Sequence, residues 1–244
     1  MERTLILPAA GAGSRFSGPV PKPLVKVDGE PMIFRVLTAV RTALPGLKAV
    51  IVVRSEQVDL FEDALRRVES DISVVVDDTF SGSAGAVLKA LTISDTPEVV
   101  VAWPDHLGIE FLPPQFLGRA IGKDHSGFLP VVQRREPYAA VEVSDAGGLS
   151  CFHPPAEVAR LAIREAPSDC GSFVLQADAC ERFIRSDLDY GCRDHNLVAV
   201  LGRLTGRDRL EAVWVDDWRA SLGVNSPEDL DVYVAARRHD MGTQ

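Results

Sequence analysis

Apolar residues in the first half of the chain fall into short, nearly continuous blocks separated by segments of helical period. Thr4–Leu7, Ala49–Val53, Ile72–Val76 and Val99–Ala102 read as strands apolar on both faces, the pattern of parallel strands covered on either side. Between them, Pro31–Leu44 reads as a helix opened by proline and closed by Pro45-Gly46. Val58–Val68 reads as a charged amphipathic helix and Ala84–Leu91 as a third helix. This alternation predicts an α/β fold, a Rossmann-like three-layer sandwich around a mostly parallel mixed sheet.

The second half is less regular. Phe128–Val132, Ala140–Val143 and Leu149–Phe152 read as strands, the last two joined by a hairpin turn at Gly147-Gly148. Ala162–Glu165 and Ser172–Leu175 read as further short strands, Ala177–Ser186 and Asn196–Thr205 as helices, and Glu211–Val215 as a late strand. In "NSPEDL", Ser226 is placed to cap a helix, with Pro227 at its first position and Glu228 and Asp229 in its first turn. That helix runs to about Arg238. No repeat, low-complexity tract or linker interrupts the pattern, so residues 1–244 read as a single domain.

At 46% hydrophobic and 25% charged, the composition is that of an ordinary globular protein. No apolar run is long enough for a membrane span, and Met1–Pro8 reads as a first strand rather than a signal peptide. The cytoplasm is the expected compartment. The cysteines, Cys151, Cys170, Cys180 and Cys192, form no C-x-x-C pair and have no histidine at ligand spacing, which predicts reduced, structural thiols. The five histidines show no metal-type spacing, and Trp103, Trp214 and Trp218 suit a core or a pocket wall. A net charge of −9 argues against nucleic acid as a partner. A small anionic substrate would need a local cationic pocket, and Arg15, Lys22 and Lys26 crowd into one loop.

That loop, "LPAAGAGSRFSGPVPKPL", follows the first strand. A Walker A loop needs Gly-Lys after its second glycine, and none follows Gly13. A dinucleotide fingerprint needs a third glycine where Phe16 stands, and Asp28 lies in a turn rather than at a strand end. The remaining pattern is G-x-G-[ST]-R, then Pro-Lys-Pro-Leu, then Asp-Gly-Glu-Pro-Met. In the stretch "LPAAGAGSRF…PKPLVKVDGEPMIFRVL" it resembles the N-terminal signature of the sugar-phosphate nucleotidylyltransferases, the nucleoside-diphosphate-sugar pyrophosphorylases.

The resemblance implies the nucleotide-diphospho-sugar transferase fold, with a nucleotide-binding half over 1–110 and an acceptor-binding half with the C-terminal helix over 111–244. It places Ala9, Ala10, Gly11, Gly13 and Ser14 around the nucleotide. The glycines let backbone N–H groups approach phosphate closely, and Ser14 adds a hydroxyl donor. Arg15 would present a planar fork to the leaving phosphates, and Lys22 a movable charge to the α-phosphate. "FSGSAGAVLKAL" looks like the family's second nucleotide loop, with Gly82 and Ser83 at the base edge. Asp105, at the end of the strand in "VVVAWPDH", takes the place of a Mg²⁺ ligand, although Pro104 stands where glycine is usual. "LGVNSPEDL" resembles the closing signature and makes Asn225 the second Mg²⁺ ligand, with Asp216 and Asp217 as alternates.

In the acceptor half, Glu165 resembles the glutamate of an E-K-P segment that touches sugar hydroxyls. Ala166 replaces the family's lysine, so a phosphate contact is missing or supplied elsewhere. "DCGSFVL" echoes N-x-G-[IL]-[YF] around Gly171, with Asp169 in place of asparagine, and "EPYAAVEV" carries Ala140 where glycine is usual. The resemblance thus implies a Mg²⁺-dependent enzyme that joins an NTP to a sugar-1-phosphate, giving an NDP-sugar and pyrophosphate. The alternatives are a cytidylyltransferase for a non-sugar phosphate or phosphonate, and a non-catalytic nucleotide-sugar sensor on the same fold. Homo-oligomers are common in the family, and neither membrane nor nucleic acid is an expected partner.

Overall fold

The computed structural model describes residues 2–11, 20–66, 68, 71–79, 82–189, 195–203 and 209–241. The chain begins with β1 (Arg3–Pro8), β2 (Lys26–Val27), β3 (Glu30–Pro31), α1 (Met32–Ala43), β4 (Lys48–Val53), α2 (Val58–Leu65) and β5 (Ile72–Val76). It continues through α3 (Gly82–Leu91), β6 (Glu98–Ala102), α4 (Pro114–Leu117), β7 (Gly127–Arg135), β8 (Ala140–Val143), β9 (Leu149–His153) and α5 (Pro155–Leu161). It ends with β10 (Glu165–Asp169), β11 (Ser172–Gln176), α6 (Ala177–Asp189), α7 (Leu197–Gly202), β12 (Leu210–Trp214) and α8 (Pro227–Met241).

Eight strands make one sheet in the order β10-β7-β11-β6-β1-β4-β5, with β12 also paired to β7. The pairs β1–β4, β1–β6, β4–β5 and β7–β12 are parallel, and only β10 and β11 among these strands run against the rest. This is the expected mostly parallel mixed sheet. Successive side chains of a strand face opposite ways, so each buried strand feeds two cores. Leu5, Leu7, Ile51 and Val100 pack with Ile33 and Val36 of α1 and with Tyr233 of α8. Ile6, Val50, Val52 and Val101 pack with Val87 of α3, Ile184 of α6 and Leu201 of α7. Two helical layers therefore enclose the sheet. Full burial of each such side chain contributes roughly 1.5–3 kcal/mol.

One expected strand is replaced. Ala162–Glu165 is not a strand: α5 precedes it, and Ala162 closes that helix at φ 51°. The Ala162 N–H donates to the Ala159 carbonyl at 3.2 Å and the Ile163 N–H to that of Val158 at 3.0 Å, the paired bonds of a Schellman closure. Pro155 at the first helical position sets this up, and the strand starts only at Glu165. Elsewhere the boundaries move by a few residues. No described helix is long and apolar enough to cross a membrane.

Candidate active site

A cavity of about 610 Å³ opens where β1 and β6 end side by side, its lining drawn from loops of both halves of the chain. Open α/β sheets bind ligands at such carboxyl ends. Lys22 enters it from a 3₁₀ turn, Lys22–Leu24, in which Pro23 and Leu24 are buried and the Leu24 N–H donates to the Pro21 carbonyl at 2.8 Å. The flanking prolines limit the backbone, so the turn presents a long, mobile ammonium from a stiff base.

Asp105 follows β6 in a turn closed by the His106 N–H donating to the Trp103 carbonyl at 3.1 Å. Proline suits the second position of such a turn, so Pro104 is accommodated where the family's glycine would stand. The Asp105 carbonyl accepts from the Val224 N–H at 2.9 Å, which brings Asn225 alongside. Asn225 is held in turn by Asp229, whose Oδ2 accepts from the Asn225 and Ser226 N–H groups at 2.8 and 2.9 Å. Ser226 Oγ accepts from the Asp229 N–H at 3.3 Å, completing a reciprocal cap at the start of α8.

These elements converge. Lys22 Nζ is ion-paired with Asp105 Oδ2 and donates to Asn225 Oδ1 at 3.1 Å. The lysine side chain is 12% exposed and the aspartate 27%, so the cluster is shielded yet open to the cavity. One carboxylate and one amide oxygen around a single positive charge form the oxygen donor set that a hard divalent cation takes. Asp216 and Asp217 lie outside the cavity lining. Asp217 is bound to Arg219 at 2.6 Å, which holds its carboxyl below the usual range, and it caps a 3₁₀ turn through the Arg219 N–H.

Of the first loop, Ala9 is buried and donates to the Val52 carbonyl at 2.7 Å, and Gly11 lines the cavity. Arg54, which no sequence motif indicated, pins the Ala10 carbonyl through Nε at 2.8 Å. Gly13, Ser14 and Arg15 lie outside the described residues. Gly82 has φ 68°, and a Cβ there would lie 2.6 Å from the His195 carbonyl oxygen. The hydroxyl oxygen of Ser83, which lines the cavity, accepts from the Leu197 N–H at 2.9 Å. Together they seat α3 against the segment leading into α7.

Gly171 has φ 64° and packs against the His106 ring, which a Cβ would strike. Burial pushes the His106 pKa down, against the pull of Asp169 and Asp105. Glu165 is not brought to the cavity. It stands on β10 opposite Arg135 and accepts from Gln133 Nε2 at 3.3 Å, on the sheet face opposite to cavity-lining Ser168. Glu165 starts β10, whereas Ser168 and Asp169, on opposite faces at the other end of the strand, both line the cavity. Arg134, Tyr138 and Asp169 line the cavity, and no motif singled out Arg134. A separate group, Glu142, Cys151 and His153, places its ligand-type atoms within 4.8 Å of one another outside that lining. Ion pairing accounts for it: the His153 ring lies 2.8 Å from Glu142 and 3.3 Å from Glu157.

The sheet order and the cluster at its carboxyl edge define a domain of the nucleotidyltransferase class. The model of the MobA-like NTP transferase domain matches residues 5–170, and the chain belongs to that family. It is 30% identical to the bifunctional protein GlmU of Pseudomonas entomophila over 169 residues, which are 68% of this chain and 36% of that protein. It is 41% identical to the 2-C-methyl-D-erythritol 4-phosphate cytidylyltransferase of Chromobacterium violaceum over 58 residues, 24% of this chain and 25% of that protein. The chain thus spans about a third or less of the length of these curated relatives. The inositol-1-phosphate CTP transferase of T. maritima shares the fold, with a TM-score of 0.73 at 21% identity over 96% of this chain and 94% of that one.

Proposed function

We propose that the chain transfers a nucleotidyl group from an NTP to a phosphorylated small-molecule acceptor, a sugar-1-phosphate being the first candidate. The convergence of Lys22, Asp105 and Asn225 at the end of β6 carries this reading. In the reaction an acceptor phosphate oxygen attacks the α-phosphorus, the bond to the β-phosphate oxygen breaks, and pyrophosphate leaves with the electron pair. The attacking oxygen is anionic at neutral pH and needs no general base. The work is alignment and neutralisation of charge. Gly11, Gly13 and Ser14 receive the triphosphate, Lys22 swings on its stem from Asp105 to the α-phosphate, and Arg15 meets the departing pyrophosphate. Asp105 and Asn225 would hold Mg²⁺, which would supply further positive charge at the phosphates. Gly82 and Ser83 flank the base.

The match to a cytidylyltransferase of a non-sugar phosphate favours a second reading, cytidylyl transfer to an acceptor that is not a sugar. Pyrophosphate release from ATP, CTP, GTP, UTP and dTTP against sugar-1-phosphates, polyol phosphates and aminoalkyl phosphates separates the two. Asp105→Ala abolishes turnover while metal-free nucleotide binding survives; undiminished turnover overturns the assignment of Asp105. No release from any pair, with tight binding of a nucleotide-sugar, identifies a sensor instead.

A further inference from the structure

Arg134 lines the same cavity as Lys22, Asp105 and Asn225. Three other arginines withdrawn from solvent answer carboxylates: Arg3 pairs with Glu98, Arg35 with Glu110 and Arg219 with Asp217. Arg134 has no hydrogen-bond or ion-pair partner among the described residues. Its guanidinium instead lies over the ring of Trp218, 5.1 Å from the centroid. Burial lowers its pKa, with only the Cys170 thiol opposing. Withdrawing a guanidinium from water without a counter-charge is costly, and stacking offsets only part of that cost.

The strand register explains why the cation is on β7. Arg134 lies directly opposite Ala166 in the antiparallel β7–β10 pair, and Val132 opposite Ser168, so Arg134, Ala166 and Ser168 share one sheet face, and Arg134 and Ser168 line the cavity. Ala166 is the position at which the sequence lacks an expected lysine. A lysine there would set two like charges on directly opposed residues, which is destabilising. The small alanine leaves one cation and room for an anion beside it. In a chain of net charge −9, such a local charge is what draws an anionic acceptor into the acceptor half.

We propose that Arg134, backed by Trp218, is the seat of the acceptor's phosphate. This rests on the transferase reading above. The guanidinium fork takes two of the three terminal oxygens and leaves the third to attack the α-phosphorus. That oxygen forms the new bond to phosphorus, pyrophosphate leaves with the electron pair of the broken bond, and no proton is transferred.

The test compares wild type with Arg134→Gln, Arg134→Lys and Trp218→Ala, each first checked for folding by its melting temperature. With the NTP and acceptor pair that turns over, R134Q raises the KM for acceptor about 10- to 100-fold, the value of a lost charge-assisted bond. The KM for NTP stays within about twofold, because the nucleotide loop is untouched. R134K, which keeps the charge without the fork, recovers only part of the loss, and W218A falls between R134K and wild type. An unchanged acceptor KM in R134Q overturns the inference and leaves the transferase reading standing. If wild type releases pyrophosphate from no pair, the transferase reading falls instead. Titration of tryptophan fluorescence with inorganic phosphate then decides the subsite alone. A saturable change lost in R134Q supports the seat, and identical curves for R134Q and wild type overturn it. Should R134Q not fold, R134K carries the same comparisons.

Discussion

The Lys22 ammonium donates to Asn225 Oδ1 at 3.1 Å across a sequence separation of 203 residues, and the same ammonium is ion-paired with Asp105. On the proposed reading this charge serves the reaction and contributes little to stability. Lys22→Met should lower kcat by about 100- to 1,000-fold, the range for removing one preorganised donor. The melting temperature should hardly move, since Asp105 keeps access to water and part-exposed ion pairs contribute about 1 kcal/mol or less. Pyrophosphate-release kinetics and a thermal melt check both halves. Turnover within tenfold of wild type would remove Lys22 from the chemistry.

Gly171 and Gly147 offer a matched pair of substitutions. Both have positive φ, 64° and 76°, but a Cβ on Gly171 meets the His106 ring, whereas one on Gly147 meets nothing within 4 Å. Gly147→Ala should cost about 1–2 kcal/mol, the left-handed backbone penalty alone. Gly171→Ala adds the collision and should cost roughly 2–4 kcal/mol, a fall of about 5–15 °C in Tm. Equal melting temperatures for the two variants would show that His106 yields without cost.

His153 makes the β8–β9 hairpin sensitive to pH. Its hydrogen bond to Glu142, helped by Glu157, raises its pKa above that of the unfolded chain. The folded state therefore binds this proton more tightly. The stabilisation is complete below the unfolded value of about 6.5 and is lost as pH rises through the folded value. Urea midpoints measured from about pH 5 to pH 9 should fall more steeply in wild type than in His153→Gln. Parallel profiles would show that the pair contributes nothing.

The cysteines give a chemical check on burial. Burial pushes the Cys180 thiol up to about 12, and Cys170 lies well above its ordinary value for the same reason. Cys151, Cys170 and Cys180 are all free, but only Cys151 is partly accessible. Iodoacetamide at about pH 8 should modify Cys151 slowly and leave Cys170 and Cys180 untouched until denaturant is added. Peptide mass spectrometry reads this out, and native labelling of Cys180 would contradict its place in the core. Because folding raises these pKa values, the stability tied to the neutral thiols is present below about pH 8.5 and declines as pH climbs toward 12.

Much of the fold was legible because its signals are local. The Val- and Ile-rich blocks that became β1, β4, β5 and β6 are apolar on both faces, as strands between two helical layers must be. Ser226, Pro227 and Asp229 marked the start of α8 because capping acts within one turn. Asp105 was legible as an acid at a strand end. Its approach to Lys22 and Asn225 followed only from the family pattern, since nothing in the spacing brings those residues together. The second half of the chain was harder to read. Its strands are short, and the face taken by Glu165 or Arg134 turns on a one-residue phase. In the run Gln133-Arg134-Arg135, both arginines look like surface cations. Arg54 carried no motif because its bond to Ala10 links two strand ends far apart in sequence.

The sequence by itself determined the elements of the first half, the glycine-rich segment between β1 and α1, and the residue types available for phosphate chemistry. Each of these depends on neighbours within a turn or a strand. The tertiary structure alone decided which of those residues meet. Strand order sets the end of β6 beside that of β1, and the Asp105–Val224 backbone bond draws Asn225 in from the far end of the chain. Pairing of β7 with β10 sets Arg134 at the cavity opposite Ala166, and Glu165 at the start of β10 outside it. Pairing across a sheet is a long-range choice made by the packing of two cores, and no local periodicity encodes it.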